Sequence, residues 1–289
     1  MDVSIIIVNY NTCTLLYNCL SSIYAHTRGL DFEIIVVDNA SVDNSKEFIL
    51  SHYSQIIWID AGKNLGFGQA NNLGVQYATG EYLLLLNSDT ILLNNAVLFF
   101  FNYVKTHNNE KIGVLGSVLL DKNHDINKSY GQFPSPMSEL VYISHKIFHN
   151  HAHAKLLQSD LNVDYVIGAD MFIKRSLYID LGGFDPNFFM YYEETDLQYR
   201  IAKNGFIRRI IVGPQIIHLD GGSFDNPGLT FNRFVMSQRS YNYYLHKHYS
   251  GLKYLIHKIT LLLVRLSLFF GMKWTWREKL QAYKIVLDR

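Results

Sequence analysis

The 289-residue chain is short of several things, and each shortage narrows what it can be. It has two cysteines, Cys13 and Cys19, both in a stretch that reads as a helix. That argues against a disulfide-stapled scaffold; buried free thiols in a reducing compartment are the expectation. It has no surplus of one charge. Lys and Arg number 26 against 25 Asp and Glu, a formal +1, so the basic excess of a nucleic-acid protein is missing. No run reaches the roughly 18 apolar residues of a membrane span; the nearest, residues 259–272, is interrupted by Arg265. The start lacks a basic segment, and its apolar run at 5–8 is too short for a secretory signal. Internal repeats and low-complexity tracts are missing too. What remains is 48% hydrophobic and 18% charged, enough to bury a real core in one large domain, or in one domain with an appendage.

Four apolar runs stand out, at 4–8, 33–37, 56–59 and 82–86. Their apolarity is continuous rather than alternating, which predicts strands buried on both faces, as in a parallel sheet. Helical spacing lies between them. Leu15, Leu16, Cys19, Leu20 and Ile23 mark a first helix, and Ser41 is placed to cap a second through Phe48 and Ile49. Ala70, Leu73 and Tyr77 mark the inward face of a third, ended by Gly80. Such alternation predicts a doubly wound α/β fold. Three strands run into polar groups: Asn9-Tyr10-Asn11, Asp38-Asn39 and Asn87-Ser88-Asp89. Asn, Asp and Ser favour turns anyway. Three such strand ends together point to a ligand crevice, which in open parallel sheets lies at the carboxyl edge.

The ligand is not announced by a glycine loop. Residues 9–14 contain no glycine, and the pattern begun by Gly66-Phe67-Gly68 has Asn71 where its last glycine should stand. The phosphate-loop motif ending in Gly-Lys-Ser/Thr does not occur either. If phosphates bind, a carboxylate-held metal ion is the expected means of neutralising them.

At this point the chain resembles family-2 glycosyltransferases. The opening Ser4-Ile-Ile-Ile-Val-Asn-Tyr-Asn11, the blocks beginning at Val37 and Asn64, and Gly80-Glu-Tyr-Leu-Leu-Leu-Leu-Asn-Ser-Asp-Thr90 are similar to that family's nucleotide-binding half. Gly168-Ala-Asp-Met-Phe172, Gly182-Gly-Phe-Asp185, Phe189-Met-Tyr-Tyr-Glu-Glu-Thr-Asp-Leu197 and Ile217-His-Leu-Asp-Gly-Gly-Ser223 follow in family order, over roughly residues 3–225. The branch it looks most like contains rhamnosyltransferases. The resemblance implies a GT-A fold: a Rossmann-like, mostly parallel sheet flanked by helices, with a C-terminal helical extension. It implies a nucleotide site drawn from Asn9, Tyr10, Asn11, Asp38, Asn39, Asn64, Gly66, Asn87, Ser88 and Asp89, with Asp38 on the base. It implies a divalent cation, Mg²⁺ or Mn²⁺, held by Asp89. Since the triplet reads Asn-Ser-Asp rather than Asp-x-Asp, His218 gains weight as the second ligand. Glu194 would be the general base, in place of the family's usual Asp, with Glu193 and Asp196 as alternatives. The same acidic cluster also suits a helix N-terminus, since Leu197 and Ile201 lie at helical spacing and Gly205 ends the pattern.

The implied reaction is inverting transfer of a sugar from a nucleoside-diphosphate sugar to a hydroxyl of a glycan or lipid-linked glycan, in surface-polysaccharide synthesis. Two other readings compete: a sugar-1-phosphate nucleotidyltransferase, which should open on a glycine-rich loop, and a non-catalytic carbohydrate- or membrane-binding relative. Residues 1–230 are expected to form the transferase domain, with a nucleotide-binding half at 1–110 and an acceptor half at 111–230. His145, His149, His151 and His153 read as a solvated loop ahead of a metal tract. In residues 231–289, Lys253, His257, Lys258, Arg265, Lys273, Trp274, Trp276 and Arg277 accompany an apolar stripe between 251 and 277. Either a helix on a membrane surface or a helical pair packed on the domain or on a dimer partner fits it. The expected place is the cytoplasm, with peripheral attachment to the inner face of the plasma membrane under the first of these readings.

Overall fold

The computed structural model describes residues 1–139, 159–219, 230–266 and 274–288. Strands β1 (Val3–Asn9), β2 (Phe32–Asp38), β3 (Ile57–Asp60) and β4 (Tyr82–Asn87) pair in parallel, in the order β3-β2-β1-β4. Their apolarity is continuous because both faces are covered. In β1, Val3, Ile5 and Ile7 join a core with α1 (Cys13–His26), α2 (Ser45–His52) and α4 (Ala96–Thr106). Ile6 points the other way, into a core with α3 (Gly66–Val75), α5 (Arg175–Asp180) and α6 (Glu193–Lys203). Successive side chains of a strand alternate in direction, so an all-apolar run is what a sheet with two buried faces requires.

The sheet continues past β4 with a change of direction. Strand β10 (Asp170–Lys174) runs antiparallel between β4 and β6 (Ile112–Leu120); β11 (Ile207–His218) lies parallel to β6 and antiparallel to β5 (Thr90–Leu92). Strand β8 (Leu161–Asn162) adds to β11, while β7 (Tyr130–Gly131) and β9 (Tyr165–Val166) form a separate ribbon. Strand β1 has neighbours reached by connections on opposite sides, β2 and β4. The crevice outside their carboxyl ends is therefore the expected place for a ligand.

Three local expectations need correction. Ser41 does not cap α2. Its Oγ instead accepts from the Asn11 amide and the Asn9 side chain, while Asp43 accepts from the first-turn amides of both Cys13 and Ser45. Helix α3 ends at Val75, so Tyr77 lies beyond it and is half exposed rather than inward. The strand predicted from Ile56 begins one residue later. The two cysteines are free, and burial pushes the Cys19 thiol up to about 12, which makes it a core residue without thiolate chemistry.

Helices α7 (Phe231–His248), α8 (Gly251–Arg265) and α9 (Trp276–Leu287) build a third core around Tyr241, Tyr244, Leu261 and Ala282, which includes Phe188 from the loop before α6. Here the sequence reading is half right. Helix packing accounts for one side of α8, and it takes His257, Lys258 and Arg265 with it; burial lowers the His257 pKa to about 4. His257 is fully buried beside the Tyr241 hydroxyl, Lys258 reaches the Asp288 carbonyl, and Arg265 Nε donates to Gln238 at 3.1 Å. These three do not flank the apolar stripe; they lie behind it. Among the described residues no helix is long and apolar enough to cross a membrane. The histidines at 145–153 and residues 267–273 lie outside the described residues.

Candidate active site

The floor is made where three strands stop. Asn9 Nδ2 donates to Asp38 Oδ1 at 2.8 Å, and its carbonyl oxygen accepts from Thr12, whose hydroxyl also meets Ser88 at 3.1 Å. The other Asp38 oxygen accepts from the Ser41 amide. Asn39 donates to the Gly66 carbonyl and accepts from the Leu65 amide, which fixes the loop entering α3. Asn11 and Ala40 both have positive φ, so the two strand-end turns interlock at a small cost in backbone strain.

Asp89 and His218, the ligands expected from the sequence, meet on the cleft wall. Strand β5 follows directly on Asp89, and His218 pairs with Thr90 across the β5–β11 ladder. That register, with the Leu219 amide on the Asp89 carbonyl, brings His218 Nε2 to 3.3 Å from Asp89 Oδ1 and 3.3 Å from Asn87 Nδ2. Two donors bound at about 2.1 Å to one ion and about 90° apart stand roughly 3 Å from each other, so the spacing fits a shared divalent cation. The donor set, one carboxylate oxygen and one imidazole nitrogen, suits Mn²⁺ or Mg²⁺ only if diphosphate and water complete the shell. Among the described residues no group of three or more His, Cys, Asp or Glu is placed to hold an ion by itself.

Another part of the wall is the first turn of α6, where Glu193 and Glu194 reach the cleft. The two residues before it, Tyr191 and Tyr192, both have φ near +70°, a conformation that non-glycine residues rarely adopt. They are held there from two directions. The Phe67 amide donates to the Phe189 carbonyl, and Ser240 of α7 donates to the Met190 carbonyl at 2.8 Å. A Cβ on Gly66 would fall 2.0 Å from the Phe189 oxygen, and one on Gly68 3.4 Å from Glu193 Cβ; the two glycines let the start of α3 lie against this turn. Burial pushes both glutamates above the ordinary carboxylate range. Their mutual repulsion adds to this for Glu193, while backbone hydrogen bonds at the helix start oppose it. One Glu193 oxygen is buried with no hydrogen-bond partner.

The cleft encloses about 490 Å³. It gathers Tyr10, Asn39, Asn64, Asn87, Ser88, Asp89, Glu193, Glu194 and His218, nine of the residues singled out in the sequence. Asn9, Asn11, Asp38 and Gly66 are not on its wall; they brace the turns beneath it. Asp196 is not brought to it either. Its carboxylate takes Arg200 on one oxygen at 2.8 Å, and Lys247 and His248 on the other at 2.7 Å each. Burial alone would raise its pKa, but the His248 hydrogen bond and the Arg200 and Lys247 charges hold it below the usual value. It joins α6 to α7. Sequence reasoning missed Arg233 and Met236, which enter the cleft from α7, where Arg233 Nε meets the Tyr191 hydroxyl at 3.2 Å. It also assigned no role to Asp170. That side chain is wholly buried and accepts from the Ser117 amide and hydroxyl, and burial raises it to about 7 against the opposing effects of those bonds and of His218.

A cleft at the switch point of a mostly parallel sheet, lined by Asp89, His218 and two glutamates, gives the chain the architecture of a GT-A fold. The model of the family described as glycosyl transferase family 2 matches residues 4–181, and the chain belongs to that family. Over 199 residues it is 29% identical to the rhamnosyltransferase WbbL of Escherichia coli K12, covering 65% of this chain and 72% of that one. Over 208 residues it is 29% identical to the low-salt glycan biosynthesis hexosyltransferase Agl10 of Haloferax volcanii, covering 70% and 62%. Over 203 residues it is 21% identical to an N-acetylglucosaminyl-diphospho-decaprenol L-rhamnosyltransferase of Mycobacterium tuberculosis, covering 64% and 66%. The chain thus spans under two thirds of the latter two relatives. In fold it is similar to the mannosyltransferase PcManGT of Pyrobaculum calidifontis in complex with GDP-Man and Mn²⁺, with a TM-score of 0.57 at 15% identity over 99% of this chain and 84% of that one. It is also similar to S. aureus TarS, with a TM-score of 0.61 at 14% identity over 100% and 50%. Membership of this family decides against the nucleotidyltransferase reading.

Proposed function

We propose that the protein transfers a sugar, with inversion, from a nucleoside-diphosphate sugar to a hydroxyl of a glycan or lipid-linked glycan in surface-polysaccharide synthesis. The observation that carries this reading is that the Asp89–His218 pair and the Glu193–Glu194 pair line one cleft. Tyr10 and Asn39 would orient the nucleotide base, with Asp38 bracing the strand ends beneath them. Asp89 and His218 would hold Mg²⁺ or Mn²⁺, which supplies Lewis-acid neutralisation of the departing diphosphate. Glu194 is the general base. It is more open than Glu193, and its raised basicity favours taking the proton of the acceptor hydroxyl as that oxygen attacks the anomeric carbon. Glu193, the more buried of the two, is the better placed to remain neutral and donate to a sugar hydroxyl. Base and leaving group on opposite sides of the anomeric carbon give a single in-line displacement.

The decaprenol-linked acceptor in a relative's name supports a lipid-linked acceptor here. Such an acceptor is presented at a membrane, and peripheral attachment on the cytoplasmic face follows from this reading. The test is incubation with UDP-, dTDP- and GDP-sugars, Mn²⁺ and a diphosphate-linked glycolipid, with the product's anomeric configuration read by NMR. Nucleoside diphosphate release with an inverted product is expected. Retention of configuration, or no transfer with any donor, would overturn the proposal.

A further inference from the structure

The near-neutral total hides a division of charge along the chain. Residues 231–289 hold eleven Lys and Arg against two acidic residues, Glu278 and Asp288, a net +9. Residues 1–230 hold 15 Lys and Arg against 23 Asp and Glu, a net −8. The basic part also exposes apolar surface. On α8, Leu252, Leu255, Ile256, Ile259, Leu263 and the following Leu266 are each 43–70% exposed. At about 100° per residue they fall within an arc of roughly 100°, one continuous stripe along the helix. The opposite side carries His257, Leu261 and Val264, all buried against the helical core. Helix α8 contains no acidic residue, and Lys253 stands exposed at the edge of the stripe. A stripe this long is unusual on a monomer's surface unless something covers it.

We propose that this face of α8 docks on an anionic lipid bilayer, with the helix lying in the interface and its leucines and isoleucines below the head groups. Charge selects the occupant. Lys247, Lys258 and Arg265 are engaged within the protein, but Arg239, Lys253, Arg277 and Lys284 stay exposed. A second copy meeting the same face would therefore bring two cationic segments together, whereas an anionic surface attracts one. The helix is too short and too one-sided to span, so it lies on the surface. The purpose of such docking rests on the reading of a membrane-presented acceptor, but its test does not use transfer.

The full-length chain is floated with phosphatidylcholine vesicles containing roughly 30% phosphatidylglycerol, and with pure phosphatidylcholine vesicles. The expected result is binding to the anionic vesicles that weakens steeply between low and high salt. Leu255→Gln/Ile259→Gln/Leu263→Gln should lower the partition coefficient at least about tenfold. The melting temperature and the release of nucleoside diphosphate without vesicles should stay unchanged. Lys253→Glu is a second arm, read the same way, should the triple variant melt early; it should weaken binding about fivefold. A chain that stays unbound at low salt overturns the proposal, as do variants that bind like the parent. So does light scattering that shows a dimer lost in the triple variant without vesicle binding, which would make the face a contact between copies. Vesicle binding without nucleotide release from any donor would instead leave docking standing and remove the transferase reading.

Discussion

At the carboxyl ends of β1 and β2, Asn9, Thr12, Asp38 and Ser41 hydrogen-bond one another, so each of these four side chains has a partner. At the first turn of α6, on the wall of the same cleft, two glutamates are crowded together behind two left-handed tyrosines, and a buried oxygen of Glu193 has none. The contrast continues along the helix itself. Asp196, one turn further on, is met by the Arg200 and Lys247 cations and by His248, while Glu193 is met chiefly by the neighbouring Glu194. A satisfied network fixes shape, as a binding floor requires. Groups kept short of partners hold perturbed proton affinities, as acid–base chemistry requires.

The floor side meets its severest test at Asp89. Asp89→Ala should lower turnover by about 10³-fold or more, measured as nucleoside diphosphate release, because the charge that stabilises the leaving group loses its anchor. Turnover within tenfold of the parent would break the assignment. On the α6 side, Glu194→Gln keeps shape and removes the proton acceptor. Turnover should fall by ~10²–10⁴-fold while donor affinity, read by calorimetry, changes little. If Glu193→Gln alone has that effect, the base is Glu193.

Asp196 sharpens the contrast within the helix. Asp196→Asn strips a buried carboxylate from two cations and the His248 ring and should destabilise the fold by about 3–5 kcal/mol at neutral pH. The depressed pKa sets the sign. Asp196 contributes stability above its unfolded value near 3.8, and loses it as pH falls through the lower folded value, so parent and variant should converge in acid. Denaturant melts at pH 7 and pH 3 check this. Glu193 has the opposite sign and the smaller effect. Its raised pKa means the favourable contribution is complete below about pH 4.5 and is lost as pH rises through the folded value. Glu193→Gln should therefore gain stability relative to the parent as pH increases. A parent–variant difference that does not change with pH would mean that Glu193 is solvated.

Much of this was legible before the fold was known, and the limits have physical reasons. Strands buried on both faces declare themselves through unbroken apolar runs, and Asn87-Ser88-Asp89 could be placed because it follows one. The 3.3 Å approach of His218 to Asp89 depends on the β5–β11 register across a gap of more than a hundred residues, which only the resemblance suggested. Asp38 and Asn9 carry residue types that fit a ligand contact and an internal brace equally well, and only coordinates show how they bond each other. Asp196 differs from Glu193 in nothing a sequence displays; its partners Lys247 and His248 come from a helix that the sequence assigns to an appendage. For the same reason Arg233 and Met236 went unnoticed: a helix read as peripheral sends both into the cleft. On α8 the apolar period was visible, but the inward turn of Lys258 and Arg265 was not, because long cationic side chains can reach either way.

The most direct test of the account is turnover with and without divalent ions. Purified protein, a donor it accepts and a matching acceptor are assayed in Mn²⁺, in excess EDTA, and again after Mn²⁺ is restored. The account predicts nucleoside diphosphate release in Mn²⁺, its loss in EDTA and its recovery, with Asp89→Ala silent throughout. Undiminished release in EDTA would contradict the claim that Asp89 and His218 hold an ion against the leaving diphosphate.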